Sequence, residues 1–140
     1  MNYEAFSDYI RRFNAEDPGT FDTYLAPNVK VQNGHLRYEG IQGMKDHYAR
    51  IWKSMREILS PQRFVSDGDT MAVELHTHFE VLKSTDDTPF GQVYAGEMFD
   101  YEGVVMYRLE GGKIADIKVS YLDFVKTGLD GKKTSLGIVH

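Results

Sequence analysis

Between Val73 and Tyr121 the chain alternates with a period of two, and the alternation is one-sided. Successive side chains of a strand face opposite sides of a sheet. One face therefore collects Val73, Leu75, Thr77, Phe79 and Val81, then Phe99, Tyr101, Val105, Tyr107 and Leu109, then Ala115, Ile117, Val119 and Tyr121. The other carries Glu74, His76, His78, Glu80, Asp100, Glu102, Arg108, Asp116 and Lys118, relieved by Met98, Val104 and Met106. Asp67-Gly68 and Gly111-Gly112 are the turn signals that fold this stretch into hairpins, Arg63–Ser66 with Thr70–Leu82 and Glu97–Leu109 with Lys113–Asp123. Lys83–Pro89 reads as a polar loop. A sheet with one apolar, aromatic face has to be covered by something equally apolar.

The cover lies in the first half of the chain. Tyr3, Phe6, Ile10 and Phe13 recur at three- and four-residue steps behind Asn2, with Tyr9 on the edge of the stripe, which predicts an amphipathic helix with an Asn N-cap. Asp17-Pro18 opens a short second helix holding Phe21, Tyr24 and Leu25, and Pro27 ends it. Val29–Asn33 alternates as a short strand before the Asn33-Gly34 turn. From Gly40, the stripe Met44, Tyr48, Ile51, Trp52, Met55, Ile58 and Leu59 predicts a long third helix closed by Pro61. The element order is α-α-β-α-β-β-β-β, an α+β fold with three N-terminal helices packed into a curved antiparallel sheet. Residues 1–124 form one domain, and the Lys-, Gly- and Thr-rich residues 125–140 a loose tail.

Composition narrows the function. The net charge of −5, from 16 basic and 21 acidic residues, is spread without a block, so the chain lacks the basic footprint that nucleic acids or anionic surfaces require. Cysteine is absent, which excludes disulfides, thiolate metal sites and cysteine nucleophiles and points to a reducing, cytoplasmic setting. The first residues pattern as a helix rather than a signal peptide, and no window approaches the roughly 20 apolar residues of a membrane span.

Five phrases, in this order, carry a family resemblance: Phe13-Asn14-Ala15-Glu16-Asp17, Tyr24-Leu25-Ala26-Pro27-Asn28-Val29, Tyr38-Glu39-Gly40-Ile41, Asp67-Gly68-Asp69-Thr70 and Gly112-Lys113-Ile114. Across residues 3–124 the chain resembles nuclear-transport-factor-2-like domains of the SnoaL-like and ketosteroid-isomerase-like branch. That resemblance implies a cone-shaped, cystatin-like roll whose sheet curls around a pocket closed by the helices. It also implies that Tyr9 takes the place of an oxyanion-hole tyrosine and Tyr48 that of the tyrosine hydrogen-bonded to it. The general base of the isomerases falls on Asn33 and their protonated acid on Val105, neither of which can move a proton. The acid that SnoaL-like cyclases keep near the end of the last strand corresponds to Asp123.

Asp123 follows Ile117, Val119 and Tyr121 in parity, so without a bulge it faces the cavity as a desolvated acid; otherwise it is a solvated strand-end cap. Tyr9, Tyr48, Tyr101, Tyr107 and Tyr121 read either as core packing or as pocket hydroxyls, with Trp52 as an apolar wall. Asn33 and His35 stand at the mouth end of the first strand, where they orient a substrate or simply make a turn. His76 and His78 with Glu74 and Glu80 lie on the outer face and fit a dimer contact or solvent better than a metal, and His47 reads as a surface helix residue. The expected function is a cofactor-independent cyclase-, isomerase- or dehydratase-like enzyme for one small apolar molecule, with Asp123 and Tyr9 catalytic. The alternative is a non-catalytic binding or dimerisation module. In either case Met98, Val104 and Met106 among complementary charges suit a homodimer through the outer sheet face.

Overall fold

The computed structural model describes residues 1–138. Helix α1 (Tyr3–Asn14) begins where expected, because the Asn2 side chain accepts the Ala5 N–H at 2.8 Å, and it buries Phe6, Tyr9, Ile10 and Phe13. Helix α2 (Gly19–Tyr24) is set by Asp17, whose carboxylate accepts the Gly19 N–H. Strand β1 (Leu25–Asn33) starts earlier than the alternation indicates and runs through Pro27. The missing N–H is tolerated there because the register against the neighbouring strand breaks between Leu25 and Lys30. Gly34, at φ 61°, turns β1 back into β2 (Leu36–Glu39), a short strand that the sequence reading omitted.

Helix α3 (Gly40–Trp52) is shorter than its stripe predicts. Met55, Ile58 and Leu59 fit a helical period, yet they belong to strand β3 (Met55–Asp67), paired antiparallel with β4 (Thr70–Val81) over its whole length. The pairing wins because β4 is long and would otherwise leave its edge groups unsatisfied. Pro61, the expected helix terminator, lies at a register break in β3. On the free edge of β3, Asn14 clamps the strand to α1: its amide donates to the Leu59 carbonyl and its oxygen accepts the Leu59 N–H, each at 2.9 Å.

The remaining strands are β5 (Met98–Glu110), β6 (Lys113–Thr127) and β7 (Lys133–Ser135). Their order across the curved sheet is β2-β1-β6-β5-β4-β3, antiparallel throughout except for β1 beside β6, with β7 pairing β6 beyond the end of β1. The three helices fill the concave face, burying Phe6, Phe13, Phe21 and Met44 against Met71, Val73, Val105 and Ile117. The tail is therefore less loose than expected, since β6 extends to Thr127 and residues 133–135 return to pair with it.

A bulge interrupts the β5–β6 ladder. Tyr121 lies opposite Gly103 and Asp123 opposite Glu102, so Leu122 is an extra residue that projects outward with 87% of its surface exposed. The extra residue inverts parity beyond it: Phe124, not Asp123, continues the buried face. Gly103 makes the bulge sterically feasible, since a Cβ there would sit 2.1 Å from the Ser120 carbonyl oxygen and 2.7 Å from the Tyr121 Cα. Gly103→Ala should therefore lower the unfolding free energy by about 3 kcal/mol, read as a reduced urea midpoint at unchanged slope. A midpoint equal to wild type would show that β6 reaches its register without the bulge.

Candidate functional site

The concave face and the helices do not meet everywhere. Between them lies a cavity of about 70 Å³, large enough for several waters or part of a small organic molecule. Helix α1 contributes Tyr9 and Phe13, and α3 contributes Met44, His47, Tyr48 and Ile51. The sheet supplies Asn33 from β1, Tyr38 from β2, Glu57 from β3, and Tyr101, Val105 and Tyr107 from β5. Pro89 and Phe90 close one end from the loop between β4 and β5.

Glu57 dominates this site. The residue is 4% exposed and forms no ion pair among the described residues, so burial raises its carboxyl from the usual value near 4.5 to about 8. The acid reaches this place because β3 alternates Met55, Glu57 and Leu59 toward the interior, with Glu57 opposite Phe79 on β4. The sequence reading missed it: on a helix, Glu57 falls beside the apolar stripe rather than in it. A usable signal was present, since the long alternation from Thr70 to Leu82 lacked a partner of matching length.

Four tyrosines of the same lining feel the charge of this acid. Burial raises Tyr9 well above its ordinary range, and the Glu57 charge adds to the effect. The same two causes act in the same order on Tyr38, Tyr48 and Tyr101. All of them stay protonated and can donate. Tyr48 hydrogen-bonds Tyr38, not Tyr9 as the resemblance implied. His47, expected on the surface, lines the cavity instead, stacked on Tyr38 at 4.7 Å between ring centroids, and burial lowers its imidazole to about 4.

Five of the nine residues singled out in the sequence line the cavity: Tyr9, Tyr48, Asn33, Tyr101 and Tyr107. The other four do not. Asp123 lies beyond the bulge on the outer side, where its Oδ1 accepts hydrogen bonds from Ser135 Oγ, Phe124 N and Gly137 N. Those bonds, the Ser135 one foremost, lower its pKa and make it the anchor of the C-terminal segment rather than a cavity acid. Tyr121 packs against Tyr101 and Phe124, and Trp52 stacks on Phe21 between α2 and α3. His35 is exposed in the β1–β2 turn. On the outer face His76 Nε2 and His78 Nδ1 share the Asp100 Oδ1, at 3.0 and 2.7 Å, and no group with metal-binding geometry occurs among the described residues.

A cone of helices and curved sheet around an aromatic cavity with one buried acid defines a small-molecule-binding domain of the nuclear-transport-factor-2-like class. Residues 6–117 match the SnoaL-like domain, and the chain belongs to that family. Among solved structures it is similar to a candidate polyketide cyclase from Pseudomonas putida KT2440, at 22% identity and TM-score 0.70, over 91% of this chain and 92% of that one. It is similar also to an LEH-like epoxide hydrolase from M. tuberculosis, at 15% identity and TM-score 0.67, over 84% and 80%. A computationally designed 17-OHP binder shares the fold at 17% identity and TM-score 0.68, over 94% and 95%. No curated protein matches the chain. No helix among the described residues is long and apolar enough to cross a membrane.

The Glu57 shift has a definite consequence for stability. Its folded pKa lies above the unfolded one, so folding is least penalised below about pH 4.5 and loses stability as pH rises toward 8. At 1.36 kcal/mol per pKa unit the loss across that window is on the order of a few kcal/mol. Glu57→Gln should remove this slope and be more stable than wild type at pH 9, as read by thermal unfolding across pH. Parallel pH profiles for the two proteins would show that Glu57 is solvated.

Proposed function

We propose that this protein is a cofactor-independent proton-transfer enzyme, of the isomerase, lyase or cyclase kind, acting on one small, mostly apolar molecule held in the aromatic cavity. The observation that carries the reading is the isolated Glu57 carboxyl, whose pKa near 8 suits proton transfer close to neutral pH. In this scheme Glu57 moves the proton. Tyr9 donates to the oxyanion that develops, and the hydrogen-bonded Tyr38–Tyr48 pair lines the same cavity. Asp123, the acid that the sequence favoured, has no part in it.

A second reading, a non-catalytic binding module, is favoured by Asn33 and Val105, two groups that cannot move a proton where the resemblance expected acids. Deuterium uptake from D2O at the α-carbon of 2-tetralone, followed by NMR, separates the two. The wild-type protein should exceed buffer, with a rate that rises with pH to a plateau above about 8 as the Glu57 carboxylate forms. Glu57→Gln should lower that rate by about 10²–10⁴ while still binding the ketone. A wild-type rate equal to buffer, with Glu57 titrating near 4.5, would leave the binding module.

We also propose that two copies pair through the outer sheet face, where Met98, Val104 and Met106 remain exposed among charges of both signs. Light scattering at micromolar concentration should give twice the 16.0 kDa chain mass, and a monomer would sink the idea.

A further inference from the structure

Among the described residues, one fully buried polar side-chain atom of the cavity wall has no hydrogen-bond partner. Asn33 ends β1, paired to Leu36 across the hairpin and to Val119 on β6, and its side chain lines the cavity. Its side chain hydrogen-bonds Tyr101, a contact that opposes the rise burial gives the phenol. Its Oδ1 is buried and makes no hydrogen bond among the described residues. Among the described residues Trp52 Nε1 is likewise buried without a hydrogen-bond partner, but Trp52 does not belong to the cavity lining. A buried acceptor without a donor costs free energy, and a ligand that brings an O–H or N–H to it recovers that loss.

The rest of the lining restricts the ligand's charge. Among the described residues it contains no lysine or arginine. Its tyrosines keep their protons, and burial keeps His47 neutral at physiological pH. An anion would enter a site whose described lining supplies no countercharge, beside a carboxyl group, an arrangement that desolvation penalises heavily.

We propose that Asn33 makes the cavity selective for neutral molecules that carry their own hydrogen-bond donor, a hydroxyl above all, over their methyl ethers and over anions. The proposal deepens the reading of this cavity as the ligand site and requires no catalysis. The probes are 2-naphthol, 2-methoxynaphthalene and 2-naphthoate, titrated into the wild-type protein by calorimetry and by ¹⁵N–¹H NMR. The naphthol should bind at least about tenfold tighter than its ether and shift the Asn33 side-chain amide resonances, with the naphthoate weakest. Asn33→Leu, which removes the acceptor, should reduce the naphthol preference to about twofold or less. Asn33→Asp keeps an acceptor at the same place and should retain a preference for naphthol over ether, so it serves if the leucine variant does not fold. Equal binding of naphthol and ether to the wild type, no naphthol binding at about 1 mM, or tighter binding of the naphthoate would each overturn the proposal. Deuterium exchange and naphthol selectivity fail independently. A silent exchange assay with selectivity intact removes the enzyme alone, whereas active exchange without selectivity removes this proposal alone.

Discussion

Pairing along the length of β3 and β4 directs an acid into the interior. Once Met55 lies opposite Val81 and Leu59 opposite Thr77, the residue between them must face Phe79 and the concave side, whatever its polarity. That residue is Glu57. The Asn14 clamp on Leu59 holds the edge strand at this register, so the acid cannot escape by a slip of one residue. The raised carboxyl, and the part of the Tyr9, Tyr38, Tyr48 and Tyr101 shifts that its charge adds to burial, descend from this one ladder.

The cavity opposes stability in two ways. Burying an unpaired carboxyl favours its protonated form, and the open volume forgoes the contacts that a filled core would make. Both costs are concentrated where helices and sheet diverge, while the two flanking clusters, one around Phe6, Phe13 and Phe21 and the other around Met55, Phe79 and Phe124, are closely packed. The same environment drives Glu57 up toward 8 and His47 down toward 4, so one burial effect leaves both groups neutral near pH 7. A neutral, mostly apolar interior with several hydroxyl donors suits a neutral ligand better than a charged one.

Much of this molecule could be read before it was seen. The one-sided alternation of β4, β5 and β6 required a covered sheet, the Asn2 cap and the Asp17-Pro18 pair located the starts of α1 and α2, and of the residues singled out for the site Tyr9, Asn33, Tyr48, Tyr101 and Tyr107 line the cavity. The misreadings share a cause. Met55, Ile58 and Leu59 satisfy a helical spacing and a strand spacing alike over so short a run, and only β4 arbitrates between them. Asp123 was misplaced by one extra residue, Leu122, whose presence depends on the missing side chain of Gly103 on the neighbouring strand.

Local sequence therefore determined what local physics controls: caps, turns, the apolar face of the hairpins, and the family to which those phrases belong. Tertiary structure alone decided which acid faces the cavity. Strand pairing and bulges are contacts between segments distant along the chain, and each reverses the direction of a side chain without leaving a mark in its own neighbourhood. Glu57 gained the interior and Asp123 lost it for that reason.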